Sequence, residues 1–63
     1  MTVNGKLVDG APITLLDYLR REGYQTARVV VERNREIVTA ERFGDVTLQA
    51  EDDINILQFM GGG

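Results

Sequence analysis

The apolar positions change period several times along the chain, and each change marks an element. Met1-Thr2-Val3 precedes Asn4-Gly5, a dipeptide whose tolerance of positive φ makes it the strongest two-residue hairpin signal. Lys6-Leu7-Val8 reads as the returning strand, ended by Asp9-Gly10. Ala11-Pro12 leads out, because proline lacks the N–H that a ladder needs and restricts its predecessor. The period then becomes helical. Leu15, Leu16 and Leu19 form one stripe, with Arg20, Arg21 and Glu22 turned to water. The spacing predicts a helix over 14–22. Thr14 is its N-cap, Asp17 completes a variant capping box, Ile13 is placed to staple against Tyr18, and Gly23 is the left-handed stop.

Beyond the helix the pattern turns to strands. Ala27-Arg28-Val29-Val30-Val31 is a β-branched run, Arg33-Asn34-Arg35 a turn, and Glu36-Ile37-Val38 a shorter strand. Residues 39–50 show no clear period, with Phe43, Val46 and Leu48 as minor anchors. Glu51-Asp52-Asp53 reads as a solvated acidic turn. Ile54 to Phe59 alternates as the last strand, with Ile54 and Ile56 on one face and Leu57 and Phe59 on the other. The order is ββαβββ. A single helix covers only one face of a sheet, so the expected architecture is a two-layer α+β domain over 1–60, followed by a flexible tail at 61–63.

Composition narrows the chemistry. Sixty-three residues make one small domain that buries about 60% of its unfolded surface, too little for a deep enclosed pocket. There is no cysteine and no histidine, which removes thiol nucleophiles, Cys-based metal sites and the commonest general base. The lack of disulfides leans the expected location to the cytoplasm. The formal charge is −3, and the arginines are interleaved with acids, so a nucleic-acid footprint is not expected. No apolar run approaches the ~20 residues of a membrane span. Tyr18 and Tyr24 are expected to pack, and the carboxylates of 51–53 lack the spaced ligands and sharp glycine turn of a Ca²⁺ loop. No self-contained catalytic, cofactor or metal site emerges.

The end of the chain is the exception. Gly61-Gly62-Gly63 directly follows an apolar strand, and three glycines are costly to order. Phe59 to Gly63 fully extended spans roughly 15 Å, enough to thread a narrow channel in another protein. A carboxylate, ionised at neutral pH with a pKa of about 3.5, is a poor electrophile. It would need activation, most simply adenylation with ATP by a partner.

A short chain with an early Asn-Gly hairpin, a Thr-capped helix stopped by glycine, a valine-rich strand into an Asn turn, an acidic turn, and Phe59-Met60-Gly61-Gly62-Gly63 at the end resembles the ThiS family. These are the sulfur carriers of thiamine biosynthesis, small ubiquitin-like β-grasp proteins. The resemblance implies a mixed sheet of four to five strands packed on one helix. It also implies three partners: a ThiF-like adenylyltransferase using ATP, a persulfide protein donating sulfur, and thiazole synthase (ThiG-like) receiving it. Gly63 would be the residue modified to adenylate and thiocarboxylate, Gly61 and Gly62 the threading residues, and Leu57, Phe59 and Met60 the partner-binding patch. The chain would then be a protein cosubstrate and not an enzyme. The family's middle turn is often Asn-Gly, where this chain has Asn34-Arg35. Two alternatives stand beside this one: a MoaD-like carrier for molybdopterin or another sulfur pathway, and a noncatalytic ubiquitin-like interaction module.

Overall fold

The computed structural model of the chain describes residues 1–59. Strands β1 (Thr2–Val3) and β2 (Lys6–Leu7) form the first hairpin, whose tip carries Asn4 and Gly5 at φ 52° and 83°. These are the left-handed values that the Asn-Gly pair was expected to adopt. Strand β3 (Ile13–Thr14) runs directly into helix α1 (Leu15–Arg21). Strands β4 (Val29–Arg33) and β5 (Glu36–Val38) make the second hairpin, and β6 (Thr47–Leu48) and β7 (Asp53–Gln58) complete the chain.

The main sheet has the order β2-β1-β7-β4-β5, with β1 and β7 parallel and every other neighbouring pair antiparallel. Helix α1 packs across one face of it. This five-stranded mixed sheet around a single helix is the β-grasp fold.

The helix ends follow from the residues that close them. Thr14 Oγ1 accepts from the Asp17 N–H at 3.1 Å. The first two helical amides, which no capping side chain serves, donate instead to carbonyls of the later loop: Leu15 to Val46 at 2.8 Å and Leu16 to Phe43 at 3.0 Å. At the other end Gly23 sits at φ 83°, with Tyr24 N–H on Leu19 O and Gly23 N–H on Arg20 O. That pair of bonds is a Schellman closure.

Leu15, Tyr18 and Leu19 of the helix share one core cluster with Met1 and with Val3, Val31, Ile54 and Ile56 of the sheet. Phe43, Val46 and Leu48 belong to the same cluster. They are full members of the core, not the minor anchors their aperiodic spacing implied. Their segment forms a 3₁₀ turn (Ala40–Arg42), and β6 then pairs with β3 as a separate two-stranded sheet. Leu16, expected in the buried stripe, is only half-buried, and Tyr18 joins Leu15 and Leu19 in the core in its place.

Two further expectations are corrected. Residues Thr26–Arg28 form a 3₁₀ turn, so the strand expected at 27–31 runs over Val29–Arg33 instead. The acidic turn is not uniformly solvated, because Asp52 is buried. No helix among the described residues is long and apolar enough to cross a membrane.

Candidate functional site

Strand β7 is central to the sheet and carries the root of the tail. Its alternation buries Ile54 and Ile56 against the helix layer and turns Asn55 and Leu57 outward. Leu57 is 63% exposed and Phe59, the next outward position, 54%. Both are large apolar side chains that the fold leaves in water, on the face away from the helix. Directly across from Leu57 stands the half-buried Val30 of β4, and Phe59 donates its N–H to Arg28 O at 2.8 Å. A shallow groove on this face is lined by Val30, Glu32, Asn55, Ile56 and Leu57. The sheet therefore brings Leu57 and Phe59 together as expected. Met60, Gly61, Gly62 and Gly63 lie outside the described residues.

The opposite end of β7 is built from polar groups. Asp52, 4% exposed, accepts from Arg33 Nε at 2.9 Å, Asn34 Nδ2 at 2.9 Å and the Gln49 N–H at 2.8 Å. Asn34 Oδ1 in turn accepts from the Asp53 N–H at 2.9 Å. Burial alone would raise the pKa of Asp52. The hydrogen bonds from Asn34, Gln49 and Arg33, with the Arg33 charge, outweigh it and hold the carboxyl below its ordinary value. This cluster ties the β4–β5 turn to the entry of β7. It is a structural clamp, since all three hydrogen bonds to the carboxylate come from groups of the fold itself.

Asp52 was missed by reading the acidic triplet as one unit. Its position carried a signal: 52, 54 and 56 share one parity, so an alternation that buries Ile54 and Ile56 also turns residue 52 inward. Asn4 was read only as a turn residue. Its Oδ1 accepts the Ile56 N–H at 2.7 Å, and its own N–H donates to Ile54 O at 2.8 Å. No local pattern could show this, because the side-chain bond joins residues 52 positions apart and the backbone bond joins Asn4 to Ile54. Tyr18 is buried in the core, where burial first, then the charges of Glu22 and Tyr24, raise its pKa. The phenol thus stays protonated and packs, as expected.

The ThiS family model matches residues 1–63. The sulfur carrier protein ThiS of Bacillus subtilis strain 168 is 42% identical over 50 residues, covering 79% of this chain and 76% of that one. A thiazole synthase of Magnetococcus marinus is 40% identical over 53 residues, which are 84% of this chain and 16% of that much longer protein. The crystal structure of the thiamine biosynthesis protein ThiS of Geobacter metallireducens superposes with a TM-score of 0.77 at 39% identity, covering 98% of this chain and 96% of that one. A solution structure of a thiamine biosynthesis protein from the same organism gives the same TM-score. With a match along its whole length, a curated relative at 42% identity and the same fold in solved relatives, this chain belongs to the ThiS family, the sulfur carriers of thiamine biosynthesis.

Proposed function

We propose that the carrier chemistry resides on Gly63, at the end of the glycine triplet that follows β7. The observation that carries this reading is the family match running through residue 63, and so including Gly61-Gly62-Gly63. A ThiF-like adenylyltransferase is the first partner. One oxygen of the Gly63 carboxylate attacks the α-phosphorus of ATP, and pyrophosphate leaves, giving an acyl adenylate. The terminal sulfur of a partner persulfide then attacks the acyl carbon, and AMP departs with the bonding pair. The resulting acyl disulfide is cleaved by a second thiol, which supplies the electrons and leaves as a mixed disulfide. What remains on Gly63 is a thiocarboxylate.

Each step assigns a task to this chain's residues. Gly61 and Gly62 admit the backbone into a narrow channel, because no Cβ obstructs it. Leu57, Phe59 and Met60 flank that channel entrance and supply apolar area to the partner surface. ATP, nucleophile and persulfide belong to the partners, so the chain acts as a cosubstrate. The likeness to part of the Magnetococcus marinus thiazole synthase supports thiazole synthase as the protein that takes the sulfur.

Incubation with a ThiF-like adenylyltransferase, ATP and a persulfide donor should raise the intact mass by one oxygen-to-sulfur exchange. Deletion of Gly62-Gly63 should abolish that gain. An unchanged wild-type mass, or sulfur transfer that survives the deletion, overturns the assignment.

A further inference from the structure

The hydrogen-bond register of β7 leaves one of its two edges open beside the root of the tail. Asn34 N–H donates to Asp53 O and Phe59 N–H to Arg28 O, so residues 53, 55, 57 and 59 direct their backbone groups toward β4. Residues 54, 56 and 58 therefore direct theirs to the other side. There β1 pairs only with Asp53 and Ile54. Asn4 extends the pairing by one step, its N–H serving Ile54 O and its side-chain carbonyl serving the Ile56 N–H. Past that point the Ile56 carbonyl, the Gln58 N–H and the Gln58 carbonyl have no backbone partner among the described residues. These are one donor and two acceptors, spaced as in a strand ladder.

The other edges of this sheet are guarded and this one is not. Exposed edges invite pairing with another chain, and natural sheets blunt them with short strands and charged side chains. Strand β2 is two residues long and carries Lys6; β5 is three residues long and begins with Glu36. From Ile54 to Phe59 there is no charge and no proline. An unguarded edge flanked by the exposed side chains of Leu57 and Phe59 has the makings of a strand-addition site, in which main-chain bonds supply affinity and alternate side chains supply specificity.

We propose that this edge receives an extended backbone segment of the adenylating partner, which pairs with Ile56 and Gln58 and so aligns the chain that leads to Gly63. The identity of the partner rests on the carrier reading above; the availability of the edge does not. Asn4 sets where the partner strand can begin, because its side chain already occupies the Ile56 N–H.

Gln58→Pro tests the edge directly. It removes the open-edge N–H while leaving every β4 bond in place, a position where proline is tolerated. Gln58→Ala controls for the side chain. With a ThiF-like adenylyltransferase as the titrant, Gln58→Pro should bind about tenfold more weakly than Gln58→Ala, the effect of losing one main-chain bond. Amide hydrogen exchange on the wild type gives a second measure that requires no variant to fold: the Gln58 amide should exchange freely in the carrier alone and be protected in the complex. Equal binding by the two variants, or an unprotected Gln58 amide in a complex that nonetheless transfers sulfur, overturns the edge while leaving the carrier reading intact. A wild-type carrier that gains no sulfur overturns the carrier reading first. A concentration-dependent dimer abolished by Gln58→Pro would give the edge to a second copy of this chain and overturn the partner assignment.

Discussion

Strand β7 is held very differently at its two ends. At its entry, Asp53 and Ile54 have a parallel neighbour on one side and an antiparallel neighbour on the other. Asp52 collects three donors, and Ile54 is fully buried. At its exit, β4 is the one neighbour among the described residues, and Leu57 and Phe59 project into water. The difference separates two environments along six residues. Apolar burial and polar closure stabilise the entry, while the exit leaves its apolar side chains in water and several backbone groups without a partner among the described residues. A domain with on the order of 3–9 kcal/mol of total stability can keep its exit open only because the entry is so fully tied.

The comparison breaks most visibly in the core of the entry. Ile54→Ala should cost about 3 kcal/mol through lost burial and the cavity it leaves, a large share of the total. Urea unfolding should show the midpoint collapse. A midpoint near the wild-type value would mean that β7 is not the anchor.

Asp52→Ala comes next, at about 2 kcal/mol, because it strands the Gln49 N–H and two side-chain donors. The half-exposed side of Arg33 regains water and moderates the loss. The same residue gives a pH signature. Its folded-state pKa lies below its unfolded value, so its contribution is complete above about pH 5 and is lost as pH falls through the folded pKa. Wild-type stability should therefore decline on acidification below about pH 5, and Asp52→Asn should flatten that decline. Parallel pH profiles for the two proteins would contradict the clamp.

A smaller effect of opposite sign is expected at the turn that the clamp secures. Asn34 and Arg35 both occupy positive φ, 52° and 71°, a conformation that arginine adopts only at a cost. Arg35→Gly should raise stability by about 0.5–1 kcal/mol, read as a higher thermal midpoint. A lower midpoint would show that the arginine side chain, and not the backbone, stabilises the turn.

The smallest change in stability belongs to the exit. Leu57→Ala should shift unfolding by less than about 0.5 kcal/mol while weakening sulfur loading by the adenylating partner. A stability loss as large as that of Ile54→Ala would erase the distinction between the two ends.

Much of this is legible in the amino-acid sequence alone. The hairpin at Asn4-Gly5, the helix between Thr14 and Gly23, and the two-faced pattern of β7 are written in local chemistry. Positive φ, a capping hydroxyl and a period of two act within a few residues, so neighbours along the chain suffice to specify them. The resemblance to the carrier family rested on these elements taken together with the glycine triplet after the last strand.

Other features needed the closed fold. Phe43, Val46 and Leu48 have no period because their segment is irregular, and only the helix start above them makes them core. The burial of Asp52 depends on Arg33 and Asn34 arriving from another hairpin, and the edge cap at Ile56 depends on Asn4 from the far end of the chain. The amino-acid sequence by itself determined the elements, the α+β class and the apolar strand that leads to the glycines. The tertiary structure alone decided which end of β7 is clamped and which edge is left open, because both are set by hydrogen bonds between residues distant in sequence, whose partners no local pattern can name.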